Sequence, residues 1–164
     1  MTVTTPQPRT TIPAPASVAP LLPRVAEADP DRARWEELTE AVREAGQYTT
    51  RAEAEWVTRI VLSALGGHVT GDERVALVQA LPREAGRVIA SQIPATQPLT
   101  AREFVESVAA RIEGSTAATA RWDVSSVLSV LADQVGEPLT TRVLTQLPSG
   151  YALLFGRADL VATA

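Results

Sequence analysis

The sequence predicts an all-α protein: duplicated four-helix units packed about a pseudo-two-fold axis and preceded by a disordered proline-rich tail. Three observations predict it. First, residues 54–89, AEWVTRIVLSALGGHVTGDERVALVQALPREAGRVI, align without a gap on residues 120–155, ARWDVSSVLSVLADQVGEPLTTRVLTQLPSGYALLF. The offset of 66 places Trp56 on Trp122, Val61 on Val127, Leu62 on Leu128, Leu65 on Leu131, and Leu81-Pro82 on Leu147-Pro148. It continues upstream through Glu37 and Glu103, Glu40 and Glu106, and Thr50 and Thr116. A shared offset sustained over this length is the signature of an internal repeat. Second, apolar residues recur at helical spacing between capping residues. Third, no stretch alternates apolar and polar residues with period two, so no strand is expected.

Composition narrows the chemistry. Of 164 residues, 45% are apolar but only 4% aromatic, so the core has to come from Ala, Val and Leu, with helices packed closely. Fifteen Arg stand against 19 acidic residues, a net charge of −4. That balance predicts no nucleic-acid partner, which calls for a basic stripe. The chain has no Cys, no Lys and no Asn, and its one His is His68. Disulfides, thiol nucleophiles and thiolate metal sites are thereby excluded. So are a Schiff-base lysine, a P-loop lysine and a multi-histidine metal site within one chain. No cofactor is expected, and the reading leans away from an enzyme. Without a long apolar run, no membrane span is expected. Arg9 is not followed by a hydrophobic stretch, which predicts no secretory signal and a cytoplasmic protein.

Residues 1–28 hold six of the 12 prolines and read as a disordered or polyproline-like tail. Its least polar piece runs from Val18 to Pro23 and includes Leu21 and Leu22. The folded domain is expected over residues 29–164, with repeats at 34–90 and 100–156 and a linker at 91–99. Asp29-Pro30 is a good N-cap and first helical residue. The first helix carries Trp35, Leu38, Val42 and Ala45 and stops at Gly46. Thr50 to Glu53 reads as a capping box opening a second helix, with Val57, Ile60, Val61, Ala64 and Leu65. Thr70 to Glu73 reads as another, opening a short helix with Val75, Val78 and Leu81. Pro82 ends that helix and begins a fourth. Thr100 to Glu103 opens the second copy. Its helices carry Phe104, Val105 and Val108, then Val124, Val127 and Leu131, then Leu139, Val143 and Leu147. Pro148 breaks the chain where Pro82 does, and Tyr151, Leu154 and Phe155 close the unit before Gly156.

A capped helix, a long Ala/Val/Leu helix, a short helix ending in a Gln-Leu-Pro turn, and a repeat of the whole set resemble the bacterial family called domain of unknown function 2267. The resemblance covers about residues 34–156. Thr145-Gln146-Leu147-Pro148 fits the turn. Gln79-Ala80-Leu81-Pro82 departs from it, with Gln one place early. The resemblance implies an all-helical bacterial cytosolic protein and carries over no catalytic residue.

Each candidate site has a structural explanation beside it. His68 reads as a capping or surface histidine at the end of the second helix, and Gln134 replaces it in the second copy. Glu37 and Glu40, with Glu103 and Glu106, recur one turn apart, but no His completes a di-metal motif. Trp56 and Trp122 read as core or seam packing, Asp123 as solvated, and Gln79 and Gln146 as partners for backbone freed by proline. The residues offered as partner or ligand contacts are Trp35, Trp56, Trp122, Tyr151, Leu21 and Leu22. The leading expectation is a helical interaction or scaffold module for a protein partner, docked or tethered through the tail, with homo-oligomerisation left open. The alternative is a regulatory domain holding a small ligand in an apolar pocket between the repeats.

Overall fold

The computed structural model describes residues 29–158. The predicted tail, with Leu21 and Leu22, lies outside them. The described residues are all-α, with no strand. The helices are α1 (Pro30–Gly46), α2 (Arg51–Gly66), α3 (Gly71–Ala80), α4 (Arg83–Ala90), α5 (Ala101–Arg111), α6 (Ala117–Val135), α7 (Glu137–Gln146) and α8 (Tyr151–Leu154). Moving the α3 bounds by 66 residues gives those of α7. The α2 start moves onto the α6 start in the same way.

Local chemistry sets the helix ends. The Asp29 carboxylate accepts from Asp31 N–H, Pro30 is the first helical residue, and Gln47 closes α1 in the left-handed region at φ 55°. Thr50 caps α2 through Glu53 N–H. Thr100 and Glu103 form a reciprocal capping box on α5. The box expected at Thr70 does not form. Its donor is taken elsewhere: Thr70 N–H donates to Gln146 Oε1 at 3.1 Å, and Gln146 Nε2 donates to Thr70 O and to Glu73 Oε2. Gln146 thus ties α7 to the start of α3, rather than serving backbone freed by Pro148.

The core is one cluster built as the composition demands, from Leu38, Val42, Val61, Leu62, Leu65, Leu128 and Leu131, with Trp35, Phe104, Tyr151 and Phe155 as its large aromatics. Helix α6 is the central strut and packs against α1, α2, α5, α7 and α8. The two halves meet where α1 lies along α6, α2 along α5 and α6, and α3 along α7. Two expected core positions differ. Ala45 is exposed, and α3 buries Leu77 while Val75 faces solvent. The linker is anchored, because Ala95 N–H donates to Gly67 O at 2.8 Å. Among the described residues, no helix is long and apolar enough to cross a membrane.

Candidate functional site

The candidate contact residues are not gathered into one place. Trp35 and Tyr151 are buried. Trp56 and Trp122 are 48% and 53% exposed, which corrects the expectation of core or seam packing. The reason is helical phase. On α2 the buried stripe is Ala54, Val57, Thr58, Val61, Leu62 and Leu65, and Trp56 falls on the opposite face. Trp122 has the same place on α6, although its indole N–H reaches Gly46 O at 3.0 Å. Asp123 corrects a second expectation. It lies in the buried stripe, at the position Val57 occupies in the first half, and accepts from the Tyr48 hydroxyl at 2.5 Å. Burial raises the Asp123 carboxyl above its ordinary range, against the opposing effect of the Tyr48 bond. Burial also pushes the Tyr48 phenol strongly upward.

His68 caps α2, as expected, and is half-buried. Its Nδ1 donates to Ala64 O at 2.8 Å, and its ring meets Phe104 edge-on at 5.3 Å. Phe104 meets Tyr151 at 5.4 Å, and the Tyr151 hydroxyl donates to Leu99 O. These three rings join the first half to the second. His68 Nε2 is buried and has no partner among the described residues. Of the recurring glutamates, Glu40 pairs with Arg43 and Glu106 with Arg102 at the surface, and Glu103 belongs to the α5 capping box. Among the described residues, no group of three or more His, Asp or Glu is arranged to hold a metal ion.

Arg74 was not singled out by its place in the sequence. Its guanidinium donates to four carbonyls, those of Gly66, Val69, Ile89 and Gln92. A fixed cation there serves the negative ends of α2 and α4 together. The equivalent residue, Thr140, performs the smaller task at the end of α6 by donating to Gly136 O.

Three clefts on the described residues each lie within one half. The first, of about 410 Å³, opens among α1, α2 and α4. Trp35 forms its floor, with the Arg59 guanidinium 4.9 Å above the ring and paired to Glu84 at 2.7 Å. Asp31 receives Arg83 N–H at its mouth, at 2.9 and 3.0 Å. The second, of about 610 Å³, opens among α5, α6 and α8, in the corresponding place of the second half. Its chemistry is different. Ala101 stands for Trp35, Ser125 for Arg59, Gly150 for Glu84 and Leu153 for Arg87. The aromatic floor and its ion pair are absent, so the cleft is open and lined by Ala101, Val105, Ala117, Ala118, Leu153 and Leu154. Arg102, Glu106 and Arg121 form its charged rim. The third, also of about 610 Å³, lies on the other side of α8, against α7.

The open second-half cleft contains no nucleophile and no proton-transfer pair. It offers apolar area, a single-turn helix presenting Leu153 at 50% exposure, and a rim that can pair charge. No curated protein matches the chain. The model of the family described as "Uncharacterized conserved protein (DUF2267)" matches residues 35–154, from Trp35 at the floor of the charged cleft to Leu154 in the apolar one, and the chain belongs to that family.

Proposed function

We propose that this protein is a non-enzymatic interaction module whose second half receives an apolar segment of a partner protein. The receiving surface is the cleft among α5, α6 and α8. The single observation that carries the reading is Leu153, half exposed over an apolar cleft at the place where the first half puts Arg87 beside a smaller, ion-paired cleft lined by Trp35. A large side chain from the partner takes the space that Trp35 takes in the first half. The Arg121 side of the rim favours an acidic flank on that segment. The proline-rich residues 1–28 act as a tether or a second docking element.

We also infer that the two halves arose by duplication and pack about a pseudo-two-fold axis. The shared offset of 66 in helix bounds supports this, as does the exchange of partners that pairs α1 with α6 and α2 with α5. On this view one copy kept a charged cleft and the other became the binding face.

A small-ligand reading has one observation in its favour, a cleft of about 610 Å³, within the size range of ligand sites. On this reading the ligand sits in the second half, in the cleft among α5, α6 and α8.

Affinity capture tests the leading reading. The full chain is compared with Leu153→Asp and with a chain lacking residues 1–28. The reading expects a defined protein that is lost with Leu153→Asp while the variant keeps its melting temperature. Capture unchanged by Leu153→Asp contradicts it.

A further inference from the structure

The charges of the first-half cleft, among α1, α2 and α4, are not required by the fold. At the matching positions of the second half Ala117 stands for Arg51, Ser125 for Arg59, Ser149 for Arg83 and Leu153 for Arg87. The acids change too, with Gln97 for Asp31 and Gly150 for Glu84. The second half builds its corresponding helices without any of them. In the first half Arg83 and Arg87 lie one turn apart on α4, on one face, where like charges repel. That repulsion is met at a cleft of about 410 Å³, large enough to admit a small ligand.

We propose that this cleft binds a phosphoryl oxyanion, held by Arg83 and Arg87 of α4 and Arg51 of α2 against the wall that Arg59 and Trp35 make. Most acids of the cleft are already engaged. Glu84 pairs with Arg59 at 2.7 Å and Glu36 with Arg32 at 3.2 Å. Asp31 accepts Arg83 N–H, the first of α4, and Asp29 accepts Asp31 N–H in the first turn of α1. At both helix starts the positive end of the backbone dipole offsets the carboxylate. Among the described residues that line the cleft, Glu55 is the one acid left to face the Arg51, Arg83 and Arg87 side chains. Arg59 is fixed, 4.9 Å over the Trp35 ring and paired with Glu84. Guanidinium forks match phosphate geometry, and three of them offer more donors than the two oxygens of one carboxylate accept. A phosphoryl group presents three acceptor oxygens. Free phosphate and a phosphate ester both supply that group. The site lies in the half that the protein-binding reading leaves unused, so the two stand independently.

The full chain tests this by NMR. Backbone amide and arginine Nε–H signals are followed while inorganic phosphate, glycerol 3-phosphate or succinate is added at constant ionic strength. The proposal expects saturable shifts at Arg59, Arg83 and Arg87, half complete at about 1 mM or less for one of the two phosphates, and binding of succinate about tenfold weaker. The phosphate that binds more tightly identifies the source. Arg83 and Arg87 are exposed, so Arg83→Gln with Arg87→Gln is expected to keep the melting temperature and to weaken binding about tenfold or more. Arg87→Leu, which installs the second-half side chain, is expected to weaken it in the same direction. Leu153→Asp is expected to leave it unchanged, which separates this site from the protein-binding cleft. Shifts that do not saturate overturn the proposal. So do shifts that succinate reproduces at equal concentration, or that persist undiminished in the folded Arg83→Gln, Arg87→Gln chain.

Discussion

Tyr48 donates its hydroxyl hydrogen to Asp123 across the junction of the two halves, at 2.5 Å. Neither residue is repeated: Gly114 stands at the Tyr48 position of the second half and Val57 at the Asp123 position of the first. Gly46 makes the contact possible. It lies beneath the Tyr48 ring, where a Cβ would come within 2.2 Å of a ring carbon, and its carbonyl accepts from Trp122. The end of α1 is therefore pinned to α6 by two bonds specific to one side of the molecule.

Tyr48→Phe is expected to cost about 1–3 kcal/mol, because it leaves a buried carboxylate without its donor. Tyr48→Phe combined with Asp123→Val is expected to recover most of that loss, since an apolar pair leaves nothing unsatisfied. Urea denaturation of the four proteins in the cycle measures it. Additive losses in the double variant contradict the pairing.

The same pair sets a pH dependence. Burial raises the Asp123 carboxyl in the folded state. Between its ordinary and raised values the folded protein binds more protons than the unfolded chain, so stability falls as pH rises through that interval. The contribution is full below the ordinary carboxylate value and lost above the raised one. Glu103 has the opposite sign. The Thr100 backbone N–H and hydroxyl lower its carboxyl, so its contribution is present at neutral pH and lost as pH falls through the lowered value. Denaturation midpoints between about pH 4 and pH 7 are expected to show the falling limb in the native protein and not in Asp123→Asn. An unchanged limb in Asp123→Asn contradicts the assignment.

Two neighbouring glycines are expected to respond oppositely to alanine. A Cβ at Gly66 meets Ile89 O at 2.8 Å, where α2 crosses α4, and backbone there cannot yield cheaply. Gly66→Ala is expected to cost about 1–3 kcal/mol through overpacking. Gly67 has right-handed dihedrals and a nearest contact of 3.5 Å, so Gly67→Ala is expected to gain about 0.4–1 kcal/mol by restricting the unfolded chain. Thermal melts that shift in opposite directions agree with the crossing; a gain at Gly66 does not.

Much of the fold was legible because local chemistry decides it. Asp29-Pro30, Thr50, Thr100 and the two Leu-Pro breaks mark helix ends within a few residues of those observed. What was not legible depends on partners distant in sequence. Gln146 displaces the expected Thr70 box across 76 residues, and Arg74 serves two helix ends that only tertiary packing brings together. The tryptophans were a different case. They are repeated landmarks in the sequence, yet the period of their own helices puts both opposite the buried stripe and puts Asp123 in it. Phase was the available signal. The apolar cleft was legible in part, since the replacement of Trp35, Glu84 and Arg87 by Ala101, Gly150 and Leu153 is visible in the alignment of the repeats. That these positions line one cleft required the packing of three helices.

The central claim is that the second half binds a protein and the first half does not do so at the equivalent place. Site-specific photo-crosslinking in cells tests it most directly, with a photoreactive phenylalanine analogue at Leu153 in one full-length chain and at Arg87 in another. The account predicts a discrete protein adduct from position 153 and none from position 87. Adducts of equal yield from both positions, or none from position 153, would contradict it.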